Sequence, residues 1–304
     1  MKKYPKILSV ILILLLTVTF SPLAYAADKK ITLGSKNFTE QYLLAELAAI
    51  LFAKAGFKVN MRTGVGSVIA RKSLENGQFD LYFEYTGTAY TVYYAQKDPA
   101  TMADPDKVYQ WVKKADENRG LIWLDPIRFN NTYAVMMMKK QAAALGIRTI
   151  SDLAAYVNTH PGELEFALEV EFWERPDGFK QMMKHYGFRL SPGQIKKMSV
   201  GLTYQALKNG QVDSAMGFAT DGRITAFGFV SLLDNKSFFP VYNPAPVVRK
   251  EVLDKYPEIK TLLKPLVTNL TTDEMRTLNS IVDVEHEPVH ETANNWLTGK
   301  HLIE

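Results

Sequence analysis

The chain has no cysteine in its 304 residues. Disulfides are therefore excluded, and so is a thiol to carry lipid at an export cleavage site. A chain of this length buries enough surface to fold without covalent staples. No G-x-S-x-G elbow occurs, which disfavours a serine hydrolase of that type. Thr63–Val68 (TGVGSV) holds Gly64 and Gly66 but lacks the third glycine and the lysine of a phosphate loop, so it reads as a strand-to-helix turn. A strong excess of charge is missing too. The formal net charge is +4, and Lys2, Lys3 and Lys6 in the first few residues supply most of it. Nucleic acid and anionic membrane surfaces are thus poor candidates for a partner.

Those lysines open a segment of their own. They precede an apolar run, ILSVILILLLTVTF, and Ala24-Tyr25-Ala26 follows with the small-x-small pattern of a cleavage site. Residues 1–26 are expected to be a secretory signal peptide, because the apolar stretch is too short for a spanning anchor. A free periplasmic protein follows from this reading.

After residue 26, strand patterns alternate with helical ones. KITL (30–33) is a strand, and a helix is expected over about 40–54, with Asn37 and Glu40 at capping-box spacing. KVNMRTG is a second strand, and SVIARKSLENG a helix closed by Asn76-Gly77. The alternation indicates an α/β architecture with a largely parallel sheet. SLENGQFDLYFEYTG (73–87) returns as ALKNGQVDSAMGFATDG (206–222). Leu74, Asn76, Gly77, Gln78 and Asp80 match Leu207, Asn209, Gly210, Gln211 and Asp213 at a constant offset of 133, which also carries Tyr85 onto Phe218. Each copy reads as helix, cap, buried strand, then an aromatic at the strand's carboxyl end, where ligands bind in open α/β sheets. Two facing lobes would explain the echo. Lobe I is expected to comprise 27–130 and 241–304, with lobe II (131–240) inserted into it.

Candidate chemistry is thin. HEPVH (286–290) has the look of a zinc signature, but Pro288 interrupts the helix that His286 and His290 would have to share. That proline suits a helix start instead, and an exported zinc hydrolase is the distant alternative. Glu163–Asp177 carries Glu165, Glu169 and Glu171 in a stretch whose first part alternates like a half-buried strand, with its acids toward solvent. Arg175, just before Pro-Asp-Gly at a helix start, is placed to grip a carboxylate bidentately. Residues 81–94, LYFEYTGTAYTVYY, hold five tyrosines and a single acid, Glu84. Tyr82, Tyr93 and Tyr94 are expected in core or surface, whereas the repeat sets Tyr85 and Phe218 apart. Rings gathered this way suit a quaternary ammonium. It has no N–H to donate, while several π faces attract it, each contributing about 0.5–2 kcal/mol.

GSKNFTEQ, LYFEYTGT, NNTYA, EFWERPDG, TDGRI and YNPAPVVR occur in that order along nearly all of the chain after residue 26. With them the chain resembles the substrate-binding proteins of osmoprotectant (glycine betaine, choline, carnitine) ABC importers. The resemblance implies a two-lobed type II periplasmic binding protein fold, no catalysis, no cofactor, and a permease and an ATPase as partners. It implies an aromatic cage of Tyr85, Tyr133, Phe218 and Tyr242. It also implies a carboxylate grip of Lys36, Thr88 and Arg175, with Asn131 beside the cage offering backbone oxygen. The family commonly has tyrosine where Phe218 stands, so a ring face is kept and a hydroxyl lost. Retention of Lys36 and Thr88 favours a zwitterionic betaine over choline. Choline, carnitine or a thiol betaine in a non-osmotic role is the alternative cargo. A monomer that closes on its ligand by a hinge motion is expected.

Overall fold

The structure, a computed structural model, describes residues 29–304, so the expected signal peptide lies outside the described residues. Two five-stranded sheets are built to one plan. In the first, β1 (Lys29–Lys36) lies between β2 (Phe57–Val65) and β3 (Leu81–Tyr85), parallel to both. The order continues from β3 through β10 (Pro244–Arg249) to β4 (Leu121–Trp123), with antiparallel pairing on each side of β10. In the second, β6 (Phe166–Glu169) lies between β7 (Ile195–Met198) and β8 (Ser214–Phe218), parallel to both. There β5 (Tyr133–Met138) separates β8 from β9 (Phe229–Ser231) and opposes both. One strand in each sheet therefore runs against the rest. Both β5 and β10 begin where the chain has just crossed from the other sheet, so each starts at the carboxyl ends of the strands it opposes.

The repeat is realised in hydrogen bonds. Asn76 and Gln78 donate to Lys72 and Ser73 carbonyls, as Asn209 and Gln211 do to Gln205 and Ala206. Gly77 and Gly210 take φ of 72° and 67°, the left-handed turn that glycine adopts without a Cβ penalty. Asp80 accepts the Thr32 N–H at 2.7 Å, and Asp213 accepts the Glu165 N–H at 2.8 Å. The offset of 133 thus extends to β1 and β6, and it carries Lys36, the last residue of β1, onto Glu169, the last of β6.

Each sheet has its own core. Helix α1 (Thr39–Lys54) packs Leu43, Leu44 and Leu47 against the first sheet, and the C-terminal helices cover it with Leu263, Met275 and Leu297. Val135, Leu168, Phe172 and Met182 fill the core of the second. Each such side chain contributes about 1.5–3 kcal/mol of burial. The Asn37–Glu40 capping box is not formed. Phe38 occupies the N-cap position of α1 without a side-chain cap, and Glu40 turns inward to other donors. Pro288 precedes the helix Val289–Gly299, His286 lies before it at φ 65°, and His290 Nδ1 sits 2.6 Å from Glu46. The two imidazoles do not share a helix.

Candidate ligand-binding site

A cavity of about 400 Å³, counted to its mouth, lies between the carboxyl edges of the two sheets. All eight residues singled out from the sequence line it. Lys36 and Tyr85 end β1 and β3, and Thr88 sits in the helical turn that follows β3. Tyr133 and Phe218 face each other across β5 and β8. Arg175 follows the short helix Val170–Glu174, while Asn131 and Tyr242 lie on the two crossings.

The rings form a continuous run. Tyr242 meets Tyr133 edge-on at 5.7 Å, Tyr133 meets Phe218 at 5.4 Å, Phe218 stacks on Phe38 at 5.0 Å, and Phe38 stacks on Tyr85 at 6.0 Å. These separations fall in the favourable range for aromatic pairs. Phe38 joins the two repeat partners, Tyr85 and Phe218. It was not anticipated, although it stands two residues after Lys36 in the same SKNF stretch.

The charged residues are mostly engaged internally. Lys36 Nζ donates to Glu84 Oε1 at 2.5 Å, with both side chains buried. Glu84 also accepts from the Tyr82 and Tyr93 hydroxyls at 2.6 and 2.7 Å and from the Tyr85 N–H at 2.6 Å. Tyr94 donates at 2.5 Å to Asp116, which Arg71 pairs as well. Much of the tyrosine crowding therefore replaces water around buried carboxylates, whose charge is costly without such partners. Arg175 grips Asp177 with Nε and one terminal nitrogen at 2.8 and 2.7 Å, and its guanidinium lies 5.5 Å from the centre of the Tyr133 ring.

Glu40 ties three segments together. It accepts from the Tyr85 hydroxyl at 2.6 Å, Asn131 Nδ2 at 2.9 Å and Thr220 Oγ1 at 2.5 Å. Burial pushes its carboxyl up to about 7, and the bonds from Thr220, Tyr85 and Asn131 restrain the rise. Asn131 thus engages through its side-chain amide, and its own N–H goes to the Tyr242 carbonyl at 3.1 Å.

The acids expected toward solvent behave differently. β6 ends at Glu169, so the alternation stops at the cleft, and the helical turn that follows swings Glu171 to the other lobe. Glu171 accepts the Ser67 N–H at 3.1 Å, at the start of α2 (Ser67–Glu75), where the helix dipole favours a negative charge. Glu169 lines the cavity beside it. Burial, with Glu171 nearby adding in the same direction, pushes the Glu169 carboxyl up to about 7.

Residues 29–299 match the family described as the substrate binding domain of ABC-type glycine betaine transport system. The chain belongs to this family. The glycine-betaine-binding protein of Pseudomonas aeruginosa is 41% identical over 284 residues, 92% of this chain and 90% of that protein. The ergothioneine transport permease/ergothioneine binding protein of Helicobacter pylori is 34% identical over 274 residues, 89% of this chain and 47% of that protein. Among solved structures, a glycine betaine/carnitine/choline ABC transporter protein superposes with a TM-score of 0.71 at 28% identity, covering 89% of this chain and 98% of that one. The two-lobed type II fold is shared with a lactococcal protein crystallised in a closed, liganded conformation, at a TM-score of 0.62 and 17% identity. The family supplies the substrate-binding component of ABC-type transport. Membership implies a small-molecule ligand and membrane transporter partners. No helix among the described residues is long and apolar enough to cross a membrane.

Proposed function

We propose that the protein is the periplasmic receptor of an ABC importer for a quaternary ammonium osmoprotectant of the glycine betaine, carnitine and choline class. Tyr85, Tyr133, Phe218 and Tyr242 form its cage, between a lobe of 27–130 and 241–304 and a lobe of 131–240. The observation that carries this reading is the run of touching rings drawn from both sheets and from a crossing. At centroid separations of 5.0–6.0 Å a trimethylammonium enters by parting them. π contacts from both lobes exist only with the lobes together, so the cargo shifts the population toward closure about the crossings.

At the other end, Arg175 has N–H groups left over after gripping Asp177, since a guanidinium offers five and Asp177 takes two. With Lys36 and Thr88 it holds the cargo's carboxylate, and Asn131 flanks the cage. Export by residues 1–26, without a cysteine to lipidate, leaves a free monomer that delivers to a permease and its ATPase.

Calorimetry on residues 27–304 with glycine betaine, carnitine and choline tests this. Saturable 1:1 binding is expected. Arg175→Ala should weaken the two carboxylates about tenfold or more and choline little. Equal losses would remove the carboxylate role. Absence of binding by every quaternary ammonium would sink the whole reading.

A further inference from the structure

Lys36 and Glu169 end equivalent strands in the two halves of the repeat, and both line the cavity. They differ in what their own lobe gives them. Lys36 has Glu84, which sits 2.5 Å away on β3. The same offset of 133 carries Glu84 onto Gly217 of β8. That position has no room for a side chain, because a Cβ there would stand 2.5 Å from the Tyr204 hydroxyl. The second lobe therefore supplies no counterpart to Glu84, and the Glu169 side chain makes no hydrogen bond or ion pair among the described residues. The neighbouring side chains place their hydrogen bonds elsewhere, Lys36 on Glu84, Arg175 on Asp177 and Glu171 on the Ser67 N–H, and the N–H groups that Lys36 and Arg175 have left over make no bond to Glu169. Glu169 also stands with Tyr133 and Phe218 around the adjoining recess, beside two of the cage rings.

An ionised carboxylate only accepts, and one left without donors in a recognition site is complemented by a donor on the guest. We propose that Glu169 is a specificity-determining residue that accepts a hydrogen bond from the cargo. The cargo is then a quaternary ammonium whose chain carries an O–H or N–H donor, in preference to a betaine with none. This rests on the cage reading above and narrows its ligand class.

Two matched pairs isolate the donor. Carnitine and 4-trimethylammoniobutanoate differ only by the hydroxyl. Choline and propyltrimethylammonium exchange a hydroxyl for a methyl. Calorimetry is expected to show the hydroxyl member of at least the carnitine pair binding about ten- to a hundredfold tighter, the range of a charge-assisted hydrogen bond. In Glu169→Gln that ratio should fall to within about threefold while the donor-free member keeps its affinity. The pH profile gives a second readout. Glu171, Arg175, Lys36 and Tyr133 are the charged and titratable groups around Glu169. With its carboxyl raised by burial to about 7, carnitine affinity should fall below pH 7 and that of the deoxy analogue should not.

Equal affinities within both pairs would overturn the proposal and leave the cage reading standing. So would donor-free betaines that bind tighter below pH 7, with Glu169 acting as a proton donor to their carboxylate. Failure of all four compounds and of glycine betaine would remove both.

Discussion

Ser67 and Glu171 meet across the cleft, the backbone N–H that opens α2 donating to a carboxylate of the other lobe at 3.1 Å. The contact exists only with the lobes together, and it needs no cargo. Glu171→Ala should therefore open the protein. One such bond is worth about 1 kcal/mol, so ligand affinity should fall about three- to tenfold. Small-angle scattering of the free protein should show a larger radius of gyration. An unchanged radius and affinity would make the contact incidental.

The buried Lys36–Glu84 pair separates support from recognition. Removing one partner of a buried pair strands the other charge, at a cost of about 3–5 kcal/mol. Lys36→Met should lose that much stability in urea unfolding. Adding Glu84→Gln should restore most of it, since glutamine still accepts from Tyr82 and Tyr93. Lys36→Met should also weaken a betaine, whose carboxylate loses the ammonium, and an unchanged betaine affinity would limit Lys36 to support.

Tyr133 touches Phe218, Tyr242 and Phe172. Tyr133→Leu keeps apolar bulk and removes one π face, so affinity for a quaternary ammonium should drop about three- to thirtyfold. Phe218→Tyr, which adds the hydroxyl that the resemblance leads one to expect here, should alter affinity or ligand preference. Identical titrations for Phe218→Tyr and the natural chain would show that the hydroxyl does not matter.

Glu40 gives the fold a pH dependence of known sign. Its carboxyl is raised from 4.5 to about 7, so its contribution is complete below about 4.5 and is lost as pH rises through 7. Glu40→Gln is fixed in the neutral form. Its melting temperature relative to the natural chain should rise between pH 5 and pH 8, by an amount equivalent to about 1–3 kcal/mol. A difference that stays flat over that interval would mean Glu40 is not protonated in the fold.

The repeat was the most legible feature, because Asn-Gly turns and the aspartates after them are local signals that report the same turn twice. It led to both sheets and to Tyr85 and Phe218. Glu169 and Glu171 were misjudged because period-2 alternation presumes that a strand continues, whereas β6 is four residues long and stops at the cleft. Extending the offset to Lys36 would have singled out Glu169. The Lys36–Glu84 and Arg71–Asp116 pairs span 48 and 45 residues, distances at which no local pattern marks a partner. Phe38 was hidden by its position, since the residue before a helix is ordinarily read for caps and not for rings.

The two crossings are stitched together where the cage begins: Asn131 donates to the Tyr242 carbonyl at 3.1 Å, and the Tyr242 N–H to Asn130 Oδ1 at 2.8 Å. In the proposed closure about the crossings, this one peptide would be both wall and pivot. On that reading, pressure on the phenol would be felt at the bearing, and substitutions at Asn130 or Asn131 should change how tightly a solute is held together with how quickly it is let go.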